Sequence, residues 1–171
     1  MRRWLAVLLL GSSACFSAAA EPAALFSGTG FSIQLPEGWD AQRDRMGVAL
    51  IARPAKSEDP EGWGAELLTV TREAVDAKRT CLEGFGYRKL EQLAYHTEKF
   101  SKLAQEDLTL GGKPATLFTL RYTEGTRELM AHVLILADGG HMLTATALSS
   151  PARFEARRAP FRFALESLRA R

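Results

Sequence analysis

The first part of the chain alternates apolar and polar residues in short runs, which is the pattern of half-buried strands. Residues 31–35 alternate in this way and end in a Pro-x-Gly sequence, so we expect a strand followed by a turn. A mostly apolar run at 46–52 and a run with several β-branched residues at 66–71 predict two further strands. The polar stretch 57–64 between them is rich in turn formers and is predicted to be a loop.

The middle of the chain has the spacing of a helix. Thr80 and Glu83 match a capping box, in which each side chain satisfies a free backbone N–H of the other residue. Gly84 and Gly86 disfavour a helix interior, which moves the expected start towards Tyr87. One face of this helix is predicted to carry Leu90, Leu93, Thr97 and Phe100.

Four strand-like runs follow, at 102–110, 115–123, 127–137 and 141–148, joined by short Gly-containing connections. Consecutive hairpins of this kind predict an antiparallel meander. Nearly every residue from 129 to 136 is apolar, so both faces of the third run should be covered.

The register of the last hairpin follows from its turn. If Gly139-Gly140 forms a two-residue turn, His132 lies opposite Ala147 and His141 lies opposite Asp138. The two imidazoles are then far apart along the hairpin.

The chain ends in a predicted helix with Ser150 as its cap and Pro151 in the first turn. Pro160 is expected to kink this helix or to start a second one. The apolar stripe of the helix is Phe154, Phe161, Leu165 and Leu168. Together the elements predict an α+β fold, an antiparallel sheet of about six to seven strands flanked by helices.

The first twenty residues have the three parts of a secretory signal: Arg2 and Arg3, an apolar run, and small residues up to Ala20. We predict a cleavable signal peptide over 1–20 that is recognised at Ala18 and Ala20 and leaves Glu21 as the new N-terminus. A lipid anchor on Cys15 is the alternative. A short lead, 21–29, and one domain, 30–171, would follow. Export to the periplasm or the medium is expected, or membrane attachment as a lipoprotein if Cys15 is acylated.

The charge balance supports this division. The chain has 22 Lys+Arg and 20 Asp+Glu, a net charge of +2. Removing 1–20 takes away Arg2 and Arg3 and leaves 20 of each sign. A neutral exported chain argues against a nucleic-acid partner, which needs a basic patch. Cleavage also leaves Cys81 as the only cysteine, which we expect to be a small buried hydrophobe or an intermolecular disulfide partner.

No catalytic motif is present: there is no Gly-x-Ser-x-Gly elbow, His-Glu-x-x-His site, phosphate loop or Cys-x-x-Cys. Asp138 beside His141 could orient an imidazole, but a polar turn is favoured because no nucleophile is placed nearby. His96 is expected on an exposed helix face. The pairs Glu106/Asp107 and Glu124/Glu128 are read as a solvated sheet face. We predict no catalytic residue, no cofactor and no metal site, with a hydrolase of unrecognised site as a minor alternative.

One tryptophan, Trp63, and an arginine cluster are candidates for contact with a partner. Trp63 in the polar loop could anchor a partner or fold back over the sheet edge. Trp39 after the first turn is expected in the core. The cluster could touch anionic lipid or an acidic partner, although a solvated helix face is favoured; it comprises Arg153, Arg157, Arg158 and Arg162.

Three stretches carry a resemblance to a known family: Phe31-x-Ile33-x-Leu35-Pro36-x-Gly38-Trp39, then Gly111-Gly112-Lys113-Pro114-Ala115, and Phe161 to Leu168 with Ser167 near the end. With the order of elements, they resemble the PsbP/DcrB-like family, part of the α/β/α sandwich superfamily that includes the yeast Mog Ran-binding protein. The resemblance implies a sheet with helices on both faces. Its members are accessory subunits, envelope lipoproteins or chaperones for secreted toxins, which implies a non-enzymatic role.

We therefore expect an exported, non-enzymatic binding or accessory protein of the bacterial cell envelope that acts through a protein or lipid partner. The membrane is a partner only if Cys15 is lipidated. A secretion-associated chaperone or a toxin-immunity protein is the alternative. The oligomeric state does not follow from the sequence.

Overall fold

The computed structural model describes residues 24–45, 47–56 and 66–171. These residues form two helices, α1 (Leu82–His96) and α2 (Pro151–Glu166), and ten strands. The strands are β1 (Leu25–Gly28), β2 (Phe31–Gln34), β3 (Trp39–Arg45), β4 (Val48–Pro54), β5 (Leu67–Ala74), β6 (Glu98–Leu110), β7 (Lys113–Glu124), β8 (Arg127–Asp138), β9 (His141–Ser149) and β10 (Arg169–Ala170).

The strands form two antiparallel sheets. The large sheet has seven strands in the order β3-β4-β5-β9-β8-β7-β6, and the small sheet has the order β1-β2-β10. α1 and α2 lie on opposite faces of the large sheet, and the small sheet shares the α2 face. The predicted α+β sandwich is confirmed, with the small sheet as an addition that the hydrophobic pattern did not separate. Neither helix is long and apolar enough to cross a bilayer.

The predicted meander is confirmed as β6-β7-β8-β9. The register of β8 and β9 also agrees with the prediction, because His132 pairs with Ala147 and Asp138 pairs with His141. The Gly139-Gly140 turn therefore has two residues, and Gly139 supplies the positive φ of 57° that such a turn requires.

β8 is buried on both of its faces, as its apolar composition predicted. On one side, Met130, Leu134 and Leu136 join a core beneath α2 and the small sheet. On the other side, Leu129 and Ile135 join a second core beneath α1. Two hydrophobic layers therefore share this strand.

The α2 layer is anchored by aromatic packing and by one cross-element hydrogen bond. Phe161 is fully buried and makes edge contacts with Trp39 and Phe154, each with ring centroids 5.9 Å apart. The core position predicted for Trp39 is therefore confirmed. At the end of α2, the Ser167 hydroxyl accepts a 2.7 Å bond from the Gln34 backbone N–H and joins the helix to β2.

The start of α1 differs from the prediction. The helix begins at Leu82, not near Tyr87, and its cap is Cys81, whose Sγ accepts from the Gly84 N–H at 3.3 Å. Cys81 is exposed, so its predicted burial was wrong. The cap lies one residue after Thr80, and the predicted capping box does not form. Tertiary packing of Phe85 and Gly86 compensates for the poor helix propensity of the two glycines.

The other differences lie at element ends. α2 continues through Pro160 as one helix, so the predicted second helix is absent from this segment. Ser150 is its N-cap by position, yet its side chain makes no capping bond. Phe100 belongs to β6 and not to the preceding helix. β3 was missed altogether because its residues after Trp39 are polar or small.

Candidate functional site

Several predicted site residues lie outside the described part of the chain. They are the signal-peptide residues Ala18, Ala20 and Glu21, the lipidation candidate Cys15 and the loop residue Trp63. The predictions for these residues stay predictions.

A groove of about 350 Å³ runs between the first turns of α1 and the outer strands of the large sheet. We call it the α1–β6 groove. Apolar and polar groups are mixed along it, which suits a peptide better than a lipid chain. Its lining is Leu82, Glu83, Tyr87, Gln105, Asp107, Leu108, Pro114, Ala115, Thr116 and Phe118.

The helical wall of the groove depends on a close approach of α1 to β7. A Cβ at Gly86 would lie 3.2 Å from the Phe118 ring, so glycine lets the helix sit against this side chain. Phe85, on the same turn, is buried in the core below. This packing leaves Tyr87 48% exposed at the groove, an aromatic group available for contact.

The strand wall presents side chains from β6 and β7. The Thr116 hydroxyl donates to Asp107 Oδ1 at 3.0 Å, which orients this carboxylate without neutralising it. Lys102 lies at the Tyr87 end, where its Nζ is 5.6 Å from the ring centroid and donates to Gln105 Oε1 at 2.9 Å. The charged groups of the lining itself are both acidic, Glu83 and Asp107.

β6 is clamped from the opposite face by α2. Arg162 donates to both carboxylate oxygens of Glu106, at 2.9 and 2.7 Å, and to Glu166 at 2.6 Å. The hydrogen bonds from Arg162 hold the pKa of Glu106 below its usual value, and the two carboxylates raise the pKa of Arg162. The clamp ties the outermost strand to the core helix.

The arginine cluster is therefore largely engaged within the chain. Arg157 contacts the buried Glu66 carboxylate at 3.1 Å, and Arg158 pairs with Glu155 at 2.6 Å. With Arg162 bound as above, three of the four arginines face carboxylates of this protein. The cluster is thus less suited to an anionic lipid surface than its sequence suggests.

His132 lies under α2 as a neutral core group. Its Nδ1 is 3.1 Å from the Thr119 hydroxyl, and its ring packs on Phe154 with centroids 4.7 Å apart. Its Nε2 is buried without a hydrogen-bond partner. Burial lowers the pKa of His132 to about 4, and the charges of Arg158 and Arg162 act in the same direction.

The remaining titratable candidates do not assemble a reactive centre. Asp138, opposite His141, forms an ion pair with Lys113. His96 is exposed at the end of α1, as expected. Among the residues that the structure describes, no cluster of His, Cys, Asp or Glu could hold a metal ion.

In each predicted carboxylate pair, the two residues have different surroundings. Glu106 binds Arg162 on the α2 side, whereas Asp107 points into the groove on the α1 side. Glu128 pairs with Arg121 across the β7–β8 hairpin, while Glu124 sits at its turn. Neither pair has the shared site that acid–base catalysis by two carboxylates requires.

A solved structure from a cyanobacterium shares this fold. The solution structure of cyanobacterial PsbP from Synechocystis superposes with a TM-score of 0.65 over 94% of this chain and 99% of that one, at 17% identity. The chain has a PsbP-like fold. The resemblance drawn from the three sequence stretches is thereby confirmed for the architecture.

Other solved structures share this PsbP-like fold. LpqN of Mycobacterium tuberculosis, described as involved in cell envelope biogenesis, matches with a TM-score of 0.62 at 11% identity over 88% of this chain and 86% of LpqN. A Pseudomonas aeruginosa protein of unknown function, PA94, matches with a TM-score of 0.55 at 14% identity over 88% of this chain and 98% of PA94. No family model and no curated protein matches the sequence. At these identities the likeness shows the fold alone.

Sequence reasoning missed the groove itself, although it named Glu83 in a capping box and Asp107 in a carboxylate pair. Tyr87 and Glu83 come from one helix, while Gln105 and Asp107 come from a strand beyond it, and no motif spacing links them. One usable signal was present: the Gly111-Gly112 turn fixes the phase of β6. In this PsbP-like fold that phase decides which β6 side chains face α1.

Proposed function

We propose that this chain is an exported, non-enzymatic binding protein of a bacterial cell envelope that holds a protein partner in the α1–β6 groove. The observation that carries the proposal is the groove itself. It combines an exposed tyrosine, aliphatic side chains and two acids beside β6, the border strand of the large sheet as far as the structure describes it. Exposed tyrosines and mixed polarity are typical of protein-binding surfaces.

The arrangement of titratable groups favours binding over turnover. His132 is buried and its pKa is lowered, and Asp138 is engaged by Lys113. Neither group is available on the surface as a base for an adjacent nucleophile. A protein partner is preferred to a lipid because polar groups recur along the groove.

Export is supported by the layout of residues 1–20 and by one relative. LpqN, which shares the fold, is described as involved in cell envelope biogenesis. Both observations support a location outside the cytoplasm for this chain.

Photo-crosslinking from the groove tests the binding role. A benzophenone amino acid at Tyr87, in the full chain expressed in its own cells, is expected to yield a defined crosslinked protein adduct in envelope extracts. The control is the same group at Tyr95, which lies on the same helix, is 86% exposed and is outside the groove lining. Equal adducts at both positions, or none at Tyr87, would contradict the proposal.

Export is tested separately by sequencing the N-terminus of the purified cellular protein. The expected result is a chain that begins at Glu21 in the periplasmic fraction. Acyl labelling that disappears in Cys15→Ser would instead establish the lipoprotein form. A cytoplasmic chain that retains residues 1–20 would refute export.

A further inference from the structure

β6 is a border strand of the large sheet, and among the described residues β7 is the only strand paired with it. The first part of the strand is irregular, with register shifts between Glu98 and Ser101 and between Lys102 and Ala104. From Ala104 to Leu110 the pairing with β7 is continuous. Bulges and charges commonly protect a sheet edge from other strands. The stretch 104–110 has no bulge, and of its two charged residues Glu106 is bound by Arg162 on the α2 face while Asp107 lines the groove.

The turn after β6 determines which of its amides point away from β7. Gly111 and Gly112 have φ values of 59° and 78°, and Leu110 pairs with Lys113, as in a two-residue type I′ hairpin. Leu110 is then hydrogen-bonded to β7, and bonded and non-bonded pairs alternate along the strand. The N–H and C=O groups of Gln105, Asp107 and Thr109 therefore point outward.

The position of Pro114 agrees with this phase. It lies opposite Thr109, in a non-bonded pair, so its missing N–H removes nothing from the β6–β7 ladder. On the other side, pairing of β7 with β8 begins one residue later, at Ala115. The proline therefore lies at the end of the β7–β8 pairing, where a missing N–H interrupts no ladder.

Two of the residues with outward amides also line the groove. Gln105 and Asp107 place their side chains in its lining. An extended segment paired with them would lay alternate side chains into the α1–β6 groove, because side chains of adjacent strands share faces at matching positions. Glu83 and Asp107 would meet those side chains, with Lys102 only at the Tyr87 end.

We propose that the edge of β6 at residues 104–110 accepts an extended segment of the partner as an eighth strand, with a Lys or Arg side chain of that segment against Asp107 and Glu83. The proposal specifies how the partner of the proposed function is held, and so it rests on that function. Backbone hydrogen bonds supply the affinity, and the acidic groove selects the side chain. Strand addition generally combines these two contributions. The Arg162 clamp on Glu106 holds the strand in place beforehand.

A designed peptide tests the proposal on the purified protein. The probe is the acetylated and amidated heptapeptide Thr-Val-Thr-Lys-Thr-Val-Thr, whose Val and Lys side chains share one face, and the control carries Glu in place of Lys. We expect the Lys peptide to bind about tenfold more tightly, with the difference shrinking at high salt. Equal binding of the two peptides, or binding of neither, would overturn the proposal.

Amide hydrogen exchange tests, without any mutation, which amides of β6 point away from β7. At saturating Lys peptide, the amides of Gln105, Asp107 and Thr109 should exchange at least about tenfold more slowly. Those of Leu108 and Leu110 are already bonded to β7 and should change less. If the exchange rates of outward and β7-bonded amides decrease equally, strand addition is refuted.

Two variants separate this proposal from the proposed function. Thr109→Pro removes one outward N–H and should abolish peptide binding with little change in the melting temperature, whereas Thr109→Ala should keep it. If the Tyr87 crosslink persists in Thr109→Pro, the groove binds a protein but not by strand addition. If the Tyr87 crosslink is absent in the native chain, the proposed function itself fails. Self-association through β6 that excludes the peptide would show that a second copy occupies the edge, which also overturns the proposal.

Discussion

Replacing Phe161 by alanine is expected to lower the free energy of unfolding by about 4 kcal/mol, because a fully buried aromatic ring is lost and a cavity remains. The ring touches Trp39 and Phe154 where α2 meets the large sheet. These aromatic contacts add to the transfer free energy of the ring. Urea unfolding followed by circular dichroism measures the change.

The matched control for Phe161→Ala lies two residues away on the same helix. Phe163 is 56% exposed, so Phe163→Ala should change the free energy of unfolding by less than about 1 kcal/mol. Both substitutions make the same chemical change within one helix. Similar losses for the two variants would show that the burial assigned to this face of α2 is wrong.

Acidification is expected to destabilise the fold through His132. The pKa of this group is about 4 in the folded chain and about 6.5 when exposed, so the unfolded chain binds more protons between these values. The neutral imidazole therefore makes its full contribution to the free energy of unfolding above pH 6.5. This contribution decreases as the pH falls towards 4. The difference in pKa corresponds to about 3 kcal/mol.

The comparison that isolates His132 is a variant without the titrating group. His132→Gln keeps a polar side chain beside Thr119 and should flatten the dependence of unfolding free energy on pH between 6.5 and 4. Arg158 and Arg162 on α2 and Glu106 on β6 act on this group and stay in place in the variant. An unchanged slope in His132→Gln would show that other groups cause the acid sensitivity.

Much of the C-terminal half was predictable because its signals are local. Two-residue turns fix the register of their own hairpins, and this was sufficient to place His132 opposite Ala147. Strong apolar runs mark strands that are buried on both faces, as in β8. These signals need only neighbouring residues, and tertiary packing reinforces them.

Elements that depend on distant partners were not predictable. β3 is polar because it borders the large sheet, and its Trp39 is held by Phe161 from the other end of the chain. Cys81 replaces Thr80 as the cap of α1 because packing of Phe85 and Gly86 sets where the helix begins. Propensity alone does not contain this information.

The candidate site was predictable only in fragments. The acidic pair Glu106/Asp107 was visible, but the fact that one residue faces α2 and the other faces α1 required the sheet register. The wall formed by Tyr87 depends on where α1 crosses β7. Because the groove is assembled from separate elements, its residues have no characteristic spacing along the sequence.

The sheet order has a consequence for the route of folding. The hairpins β3-β4-β5 and β6-β7-β8-β9 each join neighbours along the chain, but the two groups meet only where β5 pairs with β9, joining Leu67 to Leu148 and Ala74 to His141. Closing this seam brings together strands about 70 residues apart, with a larger loss of chain entropy than closing any hairpin. We therefore expect each half to nucleate locally and the docking of β5 on β9 to be the slower step in forming the large sheet.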